Sequence, residues 1–144
     1  MQITPDPYID TRLEIRHIDK IGGWGIFAKE TIPVSELVEV APVVIYPKVL
    51  MDVAVWSCQA EGIPNKDLML DQYAIHWNGS GAMPLGWVGL YNHSDNNNAE
   101  FTADYGRKLI GIITIREIQP NEQICVSYGD DWFAKKPYVP KVEF

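Results

Sequence analysis

"LYNHSDNNNAEF", residues 90–101, decides how the rest of the chain is read. One histidine stands among hydroxyl and amide side chains, and the polar run then gives way to a strand-like stretch. A turn, a metal site and the rim of a cofactor pocket all compete for it. Asn and Asp side chains hydrogen-bond to nearby backbone, so the segment taken alone reads as a structural loop. A metal site would need several ligands. His17, His76 and His93 form no H-x-x-x-H pair, and Cys58 and Cys125 are not spaced for zinc. A Ser-His-Asp hydrolase is poorly supported too: the chain has no G-x-S-x-G elbow, and Ser94 directly beside His93 is not a triad geometry.

Working outward, the 144 residues are the size of one domain, long enough to bury a core without staples. Hydrophobic residues make up 47% and charged residues 22%, a globular rather than disordered balance. No apolar run approaches a membrane span. The opening "MQITPDPYID" has no basic n-region and does not read as a signal peptide, so an intracellular protein with reduced cysteines is expected. The N-x-S sequons at Asn78 and Asn92 then read as chance matches. A net charge of −7 argues against sequence-independent nucleic-acid binding and would attract a basic partner.

The hydrophobic pattern is mostly short strands broken by Gly, Pro and Asn. Leu13 to Ile18 alternates apolar and polar residues. "LVEVAPVVIYP" (37–47) reads as strands broken by a bulge or bend at Pro42. Residues 48–61 are the best helix candidate, ended by Gly62 and Pro64. "DQYAIHW" (71–77) reads as a strand ended by the Asn78-Gly79 turn. "AEFTADY" and "KLIGIITIRE" form a hairpin around Gly106, and "ICVSYG" is a final strand. The aromatic tail is predicted to pack back on the domain. Many short strands with little helix thus point to a mainly β fold, all-β or β with one or two short helices.

Two further segments bear on chemistry. "GGWGIFA" (22–28) allows close backbone approach but lacks the dinucleotide fingerprint, so by itself a tight turn is the simpler reading. "VSYGDDWF" (126–133) puts a tyrosine at a strand end before two acids and an aromatic pair. In order and spacing, "GGWGIFA", "DQY", "LYNHSDNNNAEF" and "EQICVSYGDDWF" resemble the SET-domain protein-lysine methyltransferases, most of all the small stand-alone viral and bacterial ones. The resemblance covers residues 13–132.

That resemblance implies a mainly β, β-clip (SET) fold: several short curved sheets with one or two short helices and a C-terminal pseudoknot that brings residues 92–94 beside Tyr128. The single domain spans 1–144, with a core of about 13–132 and a tail, 133–144, closing the site. It implies S-adenosylmethionine as cofactor, with Gly23, Trp24 and Gly25 against its amino-acid part. Asn92, with donor and acceptor groups, would suit its ammonium and carboxylate, and His93 would act largely through its backbone. Trp132 would pack over the adenine or wall the channel. Tyr128 would be the catalytic tyrosine and Tyr73 a channel tyrosine bonded to the amine. The reaction would be methyl transfer to the ε-amine of lysine in a histone or other basic protein. A neutral phenol with a free pKa of about 10 is a poor base, so positioning is the expected role of Tyr128. No metal, membrane or direct nucleic-acid partner is implied, and a homodimer is reasonable. The compartment would be cytoplasmic if the source is bacterial, nuclear or virion-associated if viral. The chain departs from the family at Asn97, where a proline is usual, and lacks the cysteine-rich zinc modules. A SET-fold binding module without turnover is therefore the alternative, and a hydrolase using Ser94 or Cys125 the third reading.

Overall fold

A computed structural model describes residues 2–64, 70–137 and 139–144. The side chain of Asp71, in the "DQY" stretch, and Tyr138, in the tail, lie outside the described residues. The elements run β1 (Tyr8–Ile9), β2 (Leu13–Ile18), β3 (Gly23–Ala28), β4 (Leu37–Tyr46), α1 (Lys48–Ala60), α2 (Leu70–Tyr73), β5 (Ile75–Trp77), β6 (Ser80–Pro84), β7 (Asn92–His93), β8 (Ala99–Asp104), β9 (Leu109–Thr114), β10 (Gln123–Val126) and α3 (Trp132–Lys135). The mainly β architecture with short curved sheets is as the sequence predicts. One sheet orders its strands β5-β6-β4-β9-β8, with β1 also on β4; the other runs β2-β3-β10-β7.

Local sequence explains most of these elements. Asn78 and Gly79, with φ of 44° and 86°, form the two-residue turn between β5 and β6, where positive φ is needed at both positions. Residues 71–73 are helical rather than extended, so the strand predicted over 71–77 starts only at Ile75. Three residues are too few for periodicity to separate helix from strand.

Pro42 does not break β4 either. The strand is continuous; its register shift lies between Leu37 and Glu39. At Pro42 the strand changes partner, from β9 (through Pro42↔Leu109) to β6 (from Val43↔Pro84). A strand residue points its nitrogen and carbonyl to the same side. The Pro42 carbonyl accepts from the Leu85 N–H, so the missing donor falls where β6 has already ended in Pro84.

The first sheet curls until its edges meet. Trp77, on edge strand β5, packs edge-on against Tyr105, just past edge strand β8, with ring centroids 4.9 Å apart. Both sheets share one core, in which Ile26, Ile32, Val38, Ile112, Ile118, Ile124 and Val126 have no solvent exposure. Each such side chain contributes about 1.5–3 kcal/mol relative to exposure. Packing reaches further towards the N-terminus than residue 13. Ile3 is buried, its N–H donates to the Asp104 carboxylate, and Arg107 donates to the carbonyls of Ile3, Thr4 and Pro5. Both cysteines are free thiols.

Candidate active site

The C-terminal strand is held on two edges. β10 pairs antiparallel with β3 (Ile124↔Ile26) and parallel with β7 (Cys125↔Asn92, Val126↔His93). Parallel neighbours cannot be joined by a tight turn, and here the whole β8–β9 hairpin intervenes. The 94–98 loop continues the same edge. The Ser94 N–H donates to the Val126 carbonyl, and the Asn98 N–H to that of Cys125. Asn98 is buried, and its side chain imitates a strand residue: Nδ2 donates to the Gln123 carbonyl (2.8 Å) and Oδ1 accepts from the Cys125 N–H (2.9 Å). Asn97, where the family usually has proline, closes the turn by donating to the Ala99 carbonyl (2.9 Å). The turn is therefore held, and Asn92 and His93 stay in place.

This knot fixes Tyr128 at both ends. Its N–H donates to His93 Nδ1 (3.0 Å), and its hydroxyl donates to the Tyr91 carbonyl (2.8 Å). Gly129, at φ 93°, turns the chain immediately afterwards. Burial pushes the Tyr128 phenol above its usual range, so it stays neutral. With its proton engaged by Tyr91, the hydroxyl oxygen offers only lone pairs to a ligand.

The His93 ring thus has a role of its own, beyond the backbone role expected of it. Nδ1 must be the acceptor, so Nε2 carries the proton and donates to Asp95 Oδ1 (2.9 Å). Asp95 also pairs with Lys141 of the tail (2.8 Å), and these two partners, Lys141 first, hold its carboxyl below the usual range.

Two cavities share Tyr128 in their walls. One, of about 640 Å³, is lined by Ile75, Trp77, Phe101, Tyr105, Asp130 and Asp131, among others. The second, of about 610 Å³, is lined by residues 20–24, Asn92, His93, Phe133, Val139, Pro140, Val142 and Phe144. Gln72, Tyr73, Gly89, Tyr128 and Trp132 line both. A Cβ added at Gly89 would lie 3.1 Å from the Tyr73 ring, so Tyr73 rests against that glycine.

The sequence-predicted site residues converge here. Gly23, Trp24, Asn92, His93 and Trp132 line the second cavity, and Tyr73 and Tyr128 stand where the two meet. Gly25 is different: it lies behind the wall. A Cβ there would come within 2.7 Å of Gln123 Oε1 and 3.0 Å of Asn92 Nδ2. The glycine thus makes room for the Asn92–Gln123 pair rather than for a ligand. Asn92 Nδ2 donates to the Trp24 carbonyl (3.1 Å) and to Gln123 Oε1 (2.8 Å), which leaves its Oδ1 as the group suited to a ligand donor. Trp24 gives that carbonyl while its indole, half exposed, packs edge-on against His17.

The tail does pack back. Val139, Pro140, Val142 and Phe144 wall the second cavity, and Lys20 sits over the Phe144 ring. Neither proposed nucleophile suits hydrolysis: Cys125 is buried, its thiol pushed up to about 12, and the Ser94 hydroxyl accepts from the Asn96 N–H in the turn. Sequence reasoning assigned no role to Tyr91, Gln123, Asn98 or Glu39. The first three lie inside the quoted motifs, so their position was a usable signal.

Comparison with known proteins identifies the family. Residues 23–129 match the family model described as the SET domain. A Schizosaccharomyces pombe protein described as a histone-lysine N-methyltransferase specific for H3 lysine-37 is 33% identical over 129 residues, 88% of this chain and 80% of the relative. The crystal structure of a candidate histone methyltransferase from Plasmodium falciparum superposes with a TM-score of 0.61 at 28% identity, covering 87% of this chain and 99% of that one.

Proposed function

Because the chain belongs to the SET-domain family and is a protein-lysine methyltransferase, we propose that S-adenosylmethionine occupies the cavity walled by Gly23, Trp24, Asn92 and the tail, and that the substrate lysine enters from the other. The observation that carries this reading is the meeting of two cavities at Tyr73, Gly89 and Tyr128. The donor set fits the cofactor. The Asn92 Oδ1 is an acceptor for an ammonium group, Lys20 is a cation for a carboxylate, and Trp132 and Phe133 offer aromatic faces. When bound, the cofactor supplies the methyl group.

The chain supplies position and dryness. Tyr128, neutral and tied to Tyr91, presents lone pairs that can hold an amine N–H or face positive charge. Tyr73, which lines both cavities, would contact the amine. Lysine must lose its proton before it can attack, against a free pKa of about 10.4. The walls formed by Trp77, Phe101 and Trp132 favour the neutral amine by desolvation.

Asp130 and Asp131 on the lysine-side rim, with the net charge of −7, favour a basic peptide such as a histone tail, in keeping with the relative's stated specificity. A homodimer is part of the proposal, and light scattering reads it directly. The decisive experiment incubates the protein with methyl-labelled cofactor and histones or other basic proteins, beside Tyr128→Phe, with cofactor binding followed by calorimetry. Label on lysine, lost in the variant, is the expected result. Cofactor binding with no label on any lysine-rich protein overturns the reading.

A further inference from the structure

Glu39 is the third residue of β4, in a Val-rich stretch, with no solvent exposure. A buried carboxylate is costly unless hydrogen bonds compensate it. Both bonds that compensate this one come from a single segment, residues 86–91. The Trp87 N–H donates to Oε2 (2.7 Å) and the Tyr91 hydroxyl donates to Oε1 (2.9 Å). Between those two grips runs one 3₁₀ turn, Val88–Leu90. Gly86, at φ 65°, closes the chain over the carboxylate so tightly that a Cβ there would stand 2.5 Å from Oε2.

The gripped segment is also the partition of the site. Gly89 supports the Tyr73 ring, and the Tyr91 carbonyl receives the Tyr128 hydroxyl. Glu39 therefore reaches both tyrosines through one short turn, without lining either cavity itself. We propose that Glu39 is a positioning residue for methyl transfer: its carboxylate clamps residues 87–91 so that the Tyr91 carbonyl and Gly89 hold Tyr128 and Tyr73 where the two cavities meet. This rests on the function proposed above.

The test compares Tyr91→Phe, which removes one grip but keeps the carbonyl, with Glu39→Gln. Glutamine can still accept from the Trp87 N–H and can donate to the Tyr91 oxygen. Wild-type transfer and cofactor binding are measured first, so a failure of the function reading shows itself there. Tyr91→Phe is expected to melt cooperatively and bind cofactor within about threefold of wild type. Its kcat should fall about 10- to 100-fold, with KM for a basic peptide little changed, as small misplacements of reacting groups do. Glu39→Gln should keep kcat within about threefold of wild type. Wild-type kcat in a folded Tyr91→Phe chain overturns the proposal, as does an equal loss in both variants. A Tyr91→Phe chain that cannot fold makes the clamp a purely structural device and overturns it as well.

Discussion

Replacing Asn98 by alanine is the sharpest test of the knot. The side chain is 2% exposed and makes two hydrogen bonds to β10, at 2.8 Å to the Gln123 carbonyl and 2.9 Å to the Cys125 N–H. The substitution leaves a donor and an acceptor of β10 without partners in the interior. Each unsatisfied group costs about 1–3 kcal/mol, so the loss should be roughly 3–5 kcal/mol. That is a large part of a typical domain stability of about 5–15 kcal/mol. With about 2–4 °C of midpoint per kcal/mol, the melting temperature should drop by roughly 6–20 °C. Asn98→Asp should cost at least as much. It keeps an acceptor for the Cys125 N–H but puts an oxygen against the Gln123 carbonyl. Two neighbours serve as controls: Asn97→Ala loses one half-buried bond, about 0.5–1.5 kcal/mol, and Asn96→Ala changes only an exposed side chain, within about 0.5 kcal/mol. Urea unfolding of all four reads the order directly. If Asn98→Ala lies within about 1 kcal/mol of wild type, or level with Asn97→Ala, its amide does not hold the strand and the account of the knot is wrong.

Tyr128→Phe removes the hydroxyl held by Tyr91 and should lower kcat about 100-fold or more in the methyl-transfer assay, with cofactor affinity within a few-fold. Asn92→Ala should weaken cofactor binding by calorimetry at least about tenfold, equivalent to about 1.4 kcal/mol, while the protein still melts cooperatively. Gly25→Ala meets the ends of flexible side chains, so the fold should yield little. The Asn92–Gln123 pair must shift, however, and cofactor affinity should fall without a matching loss of melting temperature. Burial raises the Glu39 carboxyl above the ordinary glutamate value of 4.5, so unfolding releases its proton as the pH rises. The stability it contributes is present below pH 4.5 and is lost as the pH climbs through the folded value. Relative to Glu39→Gln, wild type should therefore lose ground in urea unfolding from pH 4.5 upward, and a constant difference across that range would contradict the burial argument.

What the sequence discloses depends on how local its cause is. The alternation of Leu13–Ile18, the Asn78-Gly79 turn and the hairpin on either side of Gly106 were all legible because neighbouring residues set them. The partner change at Pro42 was not, since it depends on where β6 ends, forty residues away. Gly23, Trp24, Asn92, His93 and Tyr128 were legible through the order of their motifs. Glu39 was invisible for a physical reason. In an amphipathic strand a lone glutamate among valines reads as the outward face, but Val38, Glu39, Val40 and Ala41 are all buried, so β4 has no outward face there. Asn98 stood inside a legible motif, but what its side chain does, standing in for backbone on β10, depends on a strand 25 to 27 residues away.

The lone histidine in "LYNHSDNNNAEF" joins these levels. Both of its ring nitrogens are engaged inside the protein, which argues against a metal ligand or a free base. Its Nδ1 can accept from Tyr128 only while unprotonated, because a cationic ring would set one N–H against another. The Nε2 proton then points at Asp95, whose second oxygen belongs to Lys141 of the tail. The tail, which walls the second cavity, is thereby tied to the tautomer of the ring that holds Tyr128. The tail's wall of the second cavity and the seating of the Tyr128 phenol thus belong to one arrangement of hydrogen bonds, so a change on either side of His93 reaches the other.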